Sequence, residues 1–237
     1  MRILITNDDS VEAEQLLPLI RACRKFGEVT TVVPRVEQSA KSHVIEIHMP
    51  FRVEQCTLAE DVTVYTVDST PADCVRYAVL GMGLEVDLIV SGINRGYNIG
   101  SDIIYSGTVA AASEATVLGI PAVALSTSPE YYPRAVEHLD EIYAYFCERK
   151  LFSLHHTYNV NIPEQPKGIR ITRQGGPYYS DSFVSAGEGL YQASGREVYR
   201  YSADLTLDTD AVMSGYISVM PLSIDMTARA VYEALTT

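Results

Sequence analysis

Hydrophobic and polar positions follow two different periods along the first two thirds of the chain. Short apolar, β-branched runs predict buried strands at 2–6, 29–34, 62–67, 86–94 and 121–126. Apolar residues at helical spacing predict helices between them, at 11–26, 70–82, 106–119 and 133–150. Because a helix that joins two strands of one sheet leaves them parallel, this alternation predicts an α/β fold with a doubly wound, mostly parallel sheet.

The pattern changes after about residue 157. Strand-like pieces separated by Gly and Pro follow there, namely YNVNIP, GIRITR, REVYRYSADL and GYISVMPL. Residues 176–215 predict an excursion of β-hairpins, and residues 223–236 predict a terminal helix. We expect a single domain over 1–237, with an α/β core at 1–157 and these further elements at 158–237.

Polar residues collect where the predicted strands end. They are, in chain order, Asn7, Asp8, Asp9 and Ser10, then the loop that contains Ser39, then Asn94 and Asn98. In an open parallel sheet, ligands bind outside the carboxyl ends of the strands. We therefore expect these loops to meet at one rim of the sheet.

The adjacent carboxylates of Asp8 and Asp9 predict a metal site at that rim. Two such groups repel each other unless a cation lies between them or one stays protonated. Carboxylate, hydroxyl and amide oxygens are hard ligands that suit Mg²⁺, Mn²⁺ or Ca²⁺. The alternative is a solvated turn in which Asn7 or Asp8 caps the next helix, but it leaves the second carboxylate without a role.

Two further stretches are candidates for substrate contact. The loop SGINRGYNIGSD at 91–102 is typical either of an ordinary β–α turn or of backbone that approaches a ligand closely. Ser106, Gly107 and Thr108 start a helix and could offer amides and hydroxyls to a phosphate, although capping alone would explain Ser106 or Thr108. His43 is more typical of a solvated histidine than of a catalytic one.

Charge and composition exclude several classes of function. The chain has 30 acidic and 18 basic side chains, a formal net charge of −12, which argues against polymeric nucleic acid and anionic membranes as partners. The four cysteines form no C-x-x-C pair, which argues against a zinc ribbon. We find no signal peptide and no apolar run of the ~18 residues that span a membrane, so we expect a cytoplasmic protein.

Three common motifs of nucleotide and ester chemistry are missing from the sequence. No G-x-G-x-x-G follows the first strand, which argues against dinucleotide binding. The sequence also contains no G-x-x-x-x-G-K-[ST] and no G-x-S-x-G.

Several stretches match one known family pattern, in order and over nearly the whole chain. They are NDD at 7–9, TPADCV at 70–75, SGINRGYN at 91–98, DIIYSGTVAAASEATVLGIPAVALS at 102–126, NVNIP at 159–163, GIRITRQG at 168–175 and DTDAVMSGYISVMPLSIDMT at 208–227. Together they resemble the SurE (survival protein E) family of metal-dependent 5′/3′-nucleotidases.

The resemblance implies a Rossmann-like core, and a C-terminal hairpin exchanged between subunits of a homodimer or homotetramer. It implies one divalent ion per subunit, Mg²⁺ or Mn²⁺, held by Asp8, Asp9, Ser39 and Asn94. It places the substrate phosphate near Asn7, Asn98, Ser106, Gly107 and Thr108. The implied reaction is hydrolysis of nucleoside 5′- and 3′-monophosphates, with short polyphosphate as a side activity. Either Asp8 or Asp9 would orient or deprotonate the attacking water.

The chain departs from the family pattern in two loops. The family continues NDD with Gly, where this chain has Ser10, and follows the metal-binding serine with Gly, where this chain has Ala40. The acidic residue that the family has after Pro34 is replaced by Arg35. We expect these changes to affect the nucleotide pocket more than the metal ligands.

Two alternatives from other classes stay open on the sequence. A phospho-acceptor receiver domain also has an acidic pair after its first strand, but it needs a lysine after a late strand, where this chain has Ser126, Thr127 and Ser128. A catalytically weak or inactive homologue that binds metal or nucleotide as an oligomer is compatible with the altered loops at 10–15 and 35–43.

Overall fold

Eleven strands are found in the computed structural model, which describes residues 1–236. They are β1 (Arg2–Thr6), β2 (Glu28–Pro34), β3 (Val53–Ala59), β4 (Val62–Val67), β5 (Leu88–Arg95), β6 (Ala122–Thr127), β7 (Thr157–Ile162), β8 (Ile169–Ile171), β9 (Tyr179–Gly187), β10 (Leu190–Glu197) and β11 (Ile217–Pro221). Nine of those in residues 1–236 form one sheet in the order β3-β4-β2-β1-β5-β6-β7-β11-β8. Neighbours are parallel except β3 with β4 and β7 with β11.

Helices cover both faces of this sheet. They are α1 (Leu16–Cys23), α2 (Pro71–Arg76), α3 (Gly107–Val117), α4 (Leu139–Glu148), α5 (Leu151–Leu154) and α6 (Asp208–Met213). A last helix, α7 (Arg229–Thr236), is exposed along its length. Successive residues of a strand point to opposite faces. Ile3 and Ile5 accordingly pack with α1 and α4, whereas Leu4 packs with α2 and α3. The predicted doubly wound α/β fold is confirmed.

Two helices that begin at the carboxyl edge of the sheet start where the sequence predicts. Thr70 Oγ1 accepts a hydrogen bond of 3.2 Å from Asp73 N, and Pro71 is the first residue of α2. Ser106 Oγ accepts one of 3.1 Å from Val109 N at the start of α3. These caps satisfy backbone N–H groups that a helix leaves unpaired in its first turn.

Three predicted helices are shorter than their apolar patterns. The pattern over 11–26 becomes α1, with Pro18 in its first turn, where a missing N–H is tolerated. The one over 70–82 becomes α2 followed by a π-helical turn, Tyr77–Gly81. The one over 133–150 begins as a 3₁₀-helix, Tyr132–His138, before α4. Periodicity alone does not distinguish these helix types at the ends.

The sequence interpretation was wrong at four places, one of which is the short helix α5, which was not predicted. Strand β3 was not predicted; it is an edge strand with mixed exposure, so it lacks a clear alternation. Helix α6 was also not predicted. The stretch REVYRYSADL joins β10 only through Arg196 and Glu197, because Ser202 N and Asp204 N each donate a 3.0 Å hydrogen bond to the Asp210 carboxylate instead of to a strand.

The hairpin of β9 and β10 lies within the predicted excursion and is exposed along its whole length. Its apolar side chains face outward, with Phe183 72% and Tyr191 68% exposed. The exchange of this hairpin between subunits stays a prediction. Within residues 1–236, the helices are too short or too polar to cross a membrane.

Candidate active site

A cavity of about 490 Å³ opens at the carboxyl edge of the sheet, beside the ends of β1, β2 and β5. Six of the predicted site residues line it: Asp8, Asp9, Ser39, Asn94, Asn98 and Ser106. The loops after these strands therefore meet at one rim, as the ends of neighbouring parallel strands do.

Asp8 lies at this cavity with its side chain almost fully buried. The start of α3 holds it, because Thr108 Oγ1 donates a hydrogen bond to Asp8 Oδ1. Gly107 packs so closely that a Cβ there would lie 2.9 Å from Asp8 Cβ. Burial raises the pKa of Asp8, and the hydrogen bond from the Thr108 hydroxyl opposes that rise only in part. Gly107 and Thr108, the first residues of α3, thus fix the position of the Asp8 side chain.

Asp9 is the more accessible carboxylate of the pair. Its Oδ2 accepts a 3.1 Å hydrogen bond from the backbone amide of Arg95. Burial, followed by the charge of Asp8, raises the pKa of Asp9 to about 6. Two carboxylates in a poorly solvated site repel each other's charge, and a cation beside them removes that cost.

Asn94 and Ser39 complete the predicted set of metal ligands. Asn94 Nδ2 donates a 2.8 Å hydrogen bond to Gly96 O, which commits the amide nitrogen and leaves the carbonyl oxygen for a cation. Ser39 belongs to the turn after β2 and donates a 2.6 Å hydrogen bond to Glu37 Oε1. Glu37 also lines the cavity.

The residues at the cavity fit a hard divalent cation. Two carboxylates, one hydroxyl and one amide oxygen line the same wall, and these are the oxygen donors that Mg²⁺ and Mn²⁺ take. Among the described residues, no three His, Cys, Asp or Glu side chains come together as a metal-binding group. The hydroxyl of Ser39 and the amide of Asn94 would therefore have to complete the coordination.

Asn98 is held by two asparagines whose role the sequence did not indicate. Asn159 Nδ2 and Asn161 Nδ2 donate to Asn98 O at 2.7 and 2.8 Å, and Asn98 N donates to Asn161 Oδ1 at 2.9 Å. Asn98 Nδ2 donates to Ser126 Oγ at 2.8 Å. The available signal was two asparagines that alternate within the fully buried strand β7. The rigid sheet thus fixes the loop that follows β5.

Asn7 is not part of the cavity wall formed by residues 1–236. It is buried, and its Nδ2 donates a 2.8 Å hydrogen bond to Ser10 O. Its place in the fold is to brace the turn that carries the two aspartates.

Comparison with known proteins identifies the family. The family model described as "Survival protein SurE" matches residues 3–181. The chain belongs to the SurE family. Its relatives include proteins named "5'-nucleotidase SurE" from Thermosipho africanus and Syntrophotalea carbinolica. The first is 36% identical over 96% of this chain and 93% of the relative. The second is 37% identical over 100% of this chain and 96% of the relative.

A solved SurE structure has the same fold. The crystal structure of the SurE protein from Aquifex aeolicus superposes with a TM-score of 0.81 and 31% sequence identity. The match covers 100% of this chain and 98% of that one. Because the chain belongs to the SurE family, the receiver-domain alternative is excluded.

Two of the departures from the SurE pattern, Ser10 and Ala40, share an unusual backbone conformation. Ser10 and Ala40 adopt φ angles of 77° and 56°, in the left-handed region that favours glycine. Both residues thus adopt a conformation that glycine favours, at positions where the family pattern has glycine. Ser10 also accepts a 3.2 Å hydrogen bond from Glu12 N through its hydroxyl.

The cavity of this SurE protein is strongly acidic. Its wall includes six carboxylates and one guanidinium: Asp8, Asp9, Glu12, Glu14, Glu37, Asp102 and Arg95. The sequence interpretation missed the four carboxylates beyond the aspartate pair, because three lie in loops and Asp102 in a short 3₁₀-helix, where no periodicity marks them. Tyr105 and Tyr132 add aromatic surface to the same wall.

Proposed function

We propose that this chain is a divalent-metal-dependent phosphomonoesterase that releases phosphate from nucleoside 5′-monophosphates. The oxygen-lined cavity carries this proposal, and the names of the SurE relatives support it. Nucleoside 3′-monophosphates are a second substrate class, and short polyphosphate is a side activity. We further propose that one Mg²⁺ or Mn²⁺ ion per subunit is held by Asp8, Asp9, Ser39 and Asn94.

In the proposed hydrolysis, the ion and the protein side chains have different roles. A bound divalent ion would supply polarisation of the phosphoryl group and a lowered pKa for a water molecule. Asp9 Oδ1 would accept a proton from the attacking water, because Asp9 Oδ2 is already bonded to Arg95 N. Thr108 would keep the Asp8 carboxylate oriented throughout.

Donors for the phosphate lie at the start of α3. The Ser106 hydroxyl accepts from Val109 N and so retains its own proton for a phosphate oxygen. The Gly107 amide belongs to the first helical turn, where N–H groups have no partner within the helix. The hydroxyl of Thr108 donates to Asp8 instead, and Asn98 acts through the position of its loop.

The test of this function is phosphate release from a panel of nucleoside monophosphates with Mn²⁺ or Mg²⁺. We expect turnover that EDTA abolishes, and an Asp9→Asn variant with kcat lowered by about 100-fold or more, because it loses the negative charge of one ligand and a proton acceptor. Asp140→Asn is the matched control, since Asp140 forms a surface ion pair with Lys25. Undiminished turnover in Asp9→Asn contradicts the site assignment.

A catalytically weak homologue is the second candidate. The left-handed Ser10 and Ala40 favour it, because both lie in loops that shape the cavity. Metal binding without turnover of any nucleoside monophosphate would select this candidate.

We also propose that the protein is a homodimer or homotetramer joined by its hairpin. The outward apolar side chains of β9 and β10 support this, because burying them against a second copy removes apolar surface from water. Light scattering on the native protein distinguishes the monomer from either oligomer.

A further inference from the structure

The turn Gln38–His43 carries Ser39 between β2 and β3 without regular secondary structure. Two of its residues, Ala40 and Ser42, have left-handed φ angles of 56° and 51°. Such angles are unfavourable for residues with a Cβ and persist where surrounding contacts hold them. The conformation around Ser39 therefore depends on what anchors this turn.

Hydrogen bonds connect both ends of the turn to segments that line the active-site cavity. At the first end, Gln38 N donates a 2.8 Å hydrogen bond to Asp8 O. At the second end, Ser42 N donates to Tyr105 O at 2.9 Å, and Ser42 Oγ donates to Ile104 O at 2.7 Å. Tyr105 directly precedes Ser106, so the turn is bonded both to Asp8 and to the segment that leads into α3.

The side chain of His43 adds a further contact, with a buried residue of α3. Its Nε2 lies 2.8 Å from Glu114 Oε2 on α3, whose side chain is only 5% exposed. Arg76 Nη1 donates to the other carboxylate oxygen, Oε1, at 2.9 Å. Burial alone would raise the pKa of Glu114, but the bonds from His43 and Arg76 outweigh it and hold the pKa below its usual value. An ionised carboxylate only accepts, so His43 Nε2 is the donor.

We infer that His43 is a positioning residue for the active site. Its bond to Glu114 fastens the Ser39 turn to α3, the helix whose first residues hold Asp8. Glu114 is buried, is paired through both oxygens and is carried on a regular helix, so it is a rigid point of attachment. The inference rests on the proposed function in one respect only, which is that Ser39 is a metal ligand.

The experiment measures Mn²⁺ affinity by calorimetry for wild type, His43→Ala and His43→Gln. We expect His43→Ala to bind Mn²⁺ about tenfold more weakly, the scale found when a partner of a metal ligand is lost. His43→Gln should recover most of the affinity, because its amide also donates toward Glu114. His48→Ala is the matched control, since His48 is exposed in the same loop and its backbone amide, not its ring, bonds Glu46.

A double-mutant cycle separates positioning from a general loss of stability. If His43 acts through Ser39, His43→Ala lowers Mn²⁺ affinity in the wild-type background and adds little in a Ser39→Ala background. Amide hydrogen exchange at Gln38 and Ser42 should also quicken in His43→Ala while the core strands stay protected.

Wild-type affinity in His43→Ala, or an equal loss in both backgrounds, overturns the inference. A wild-type protein that binds Mn²⁺ but hydrolyses no nucleotide overturns the proposed function instead, and the affinity measurements still decide the role of His43.

Discussion

At the scale of single residues, the geometry around Asp8 depends on the first two positions of α3. Thr108 Oγ1 donates a hydrogen bond to the Asp8 carboxyl group. Gly107 lies against the same side chain and against Pro71, and a Cβ at Gly107 would be 3.2 Å from Pro71 Cγ. A single hydrogen atom in place of a methyl group is therefore what allows Asp8 to lie where it does.

The substitution Gly107→Ala tests this packing. The new methyl group would lie 2.9 Å from Asp8 Cβ and 3.0 Å from Asp8 Oδ2, so Asp8 must shift. We expect kcat/KM for nucleoside monophosphates to fall by about 10- to 100-fold, since a misplacement near 1 Å costs that much, with the melting temperature changed little. Gly176→Ala is the control, because a Cβ there would meet nothing within 4 Å. Normal kcat/KM in Gly107→Ala would show that Asp8 tolerates the shift.

At the scale of elements, the short helix α6 connects the C-terminal region to the active-site loop. Asp208 is fully buried at its start and accepts hydrogen bonds from Gly100 N at 2.9 Å and Gly175 N at 2.7 Å. Gly100 begins the 3₁₀-helix Gly100–Tyr105, which leads into Ser106. Asp210 accepts from Tyr199 Oη at 2.9 Å and so holds the chain returning from the hairpin. The α6 helix therefore joins the hairpin to the loop between Asn98 and Ser106.

The variant Asp208→Asn should weaken this connection. The asparagine places an N–H₂ group where backbone N–H groups already donate, and hydrogen bonds to a charged acceptor contribute about 1.5–3 kcal/mol. We expect the free energy of unfolding in urea to fall by about that amount, and KM to rise because Gly100 loses its anchor. Asp181→Asn, on the exposed hairpin, should stay within about 0.5 kcal/mol of wild type. Equal stability of the two variants would refute the role of Asp208.

At the scale of the whole molecule, the net charge of the protein has the same sign as that of its proposed substrates. The net charge is −12, and six carboxylates line the cavity beside one arginine. A phosphate monoester can enter if the metal reverses the local sign. A longer polyanion places further charges beside Glu12 and Glu14 on the exposed rim. The cavity should therefore discriminate against polyphosphates.

The double variant Glu12→Gln/Glu14→Gln measures that discrimination. We expect kcat/KM for tripolyphosphate to rise about 3- to 10-fold, and that for AMP to change much less, because removing like charge speeds the entry of a polyanion. Added NaCl should raise wild-type activity on tripolyphosphate through screening. Glu28→Gln/Glu60→Gln changes the net charge equally, at exposed positions that do not line the cavity. The same gain in both double variants would assign the effect to net charge alone.

The elements that could be predicted from the sequence are those with a clear local pattern. The strands 2–6 and 62–67 and the helix starts at Pro71 and Gly107 were found at or within a residue of their places, because period and capping chemistry are properties of adjacent residues. The edge strand β3 and helix α6 were missed, since their exposed or buried polar residues show no clear period. The aspartate pair was found because two adjacent carboxylates after a buried strand are unusual.

The sequence by itself determined the fold class, the SurE family and the rim where polar residues collect. Only the tertiary structure decided which groups hold that rim in place. Asp8 is held by Thr108, 100 positions away, and His43 pairs with Glu114, 71 positions away. Such partners are chosen by the packing of helices on the sheet, and no local period records them. The physical reason is that a hydrogen bond needs proximity in space, which the chain acquires only when its core closes.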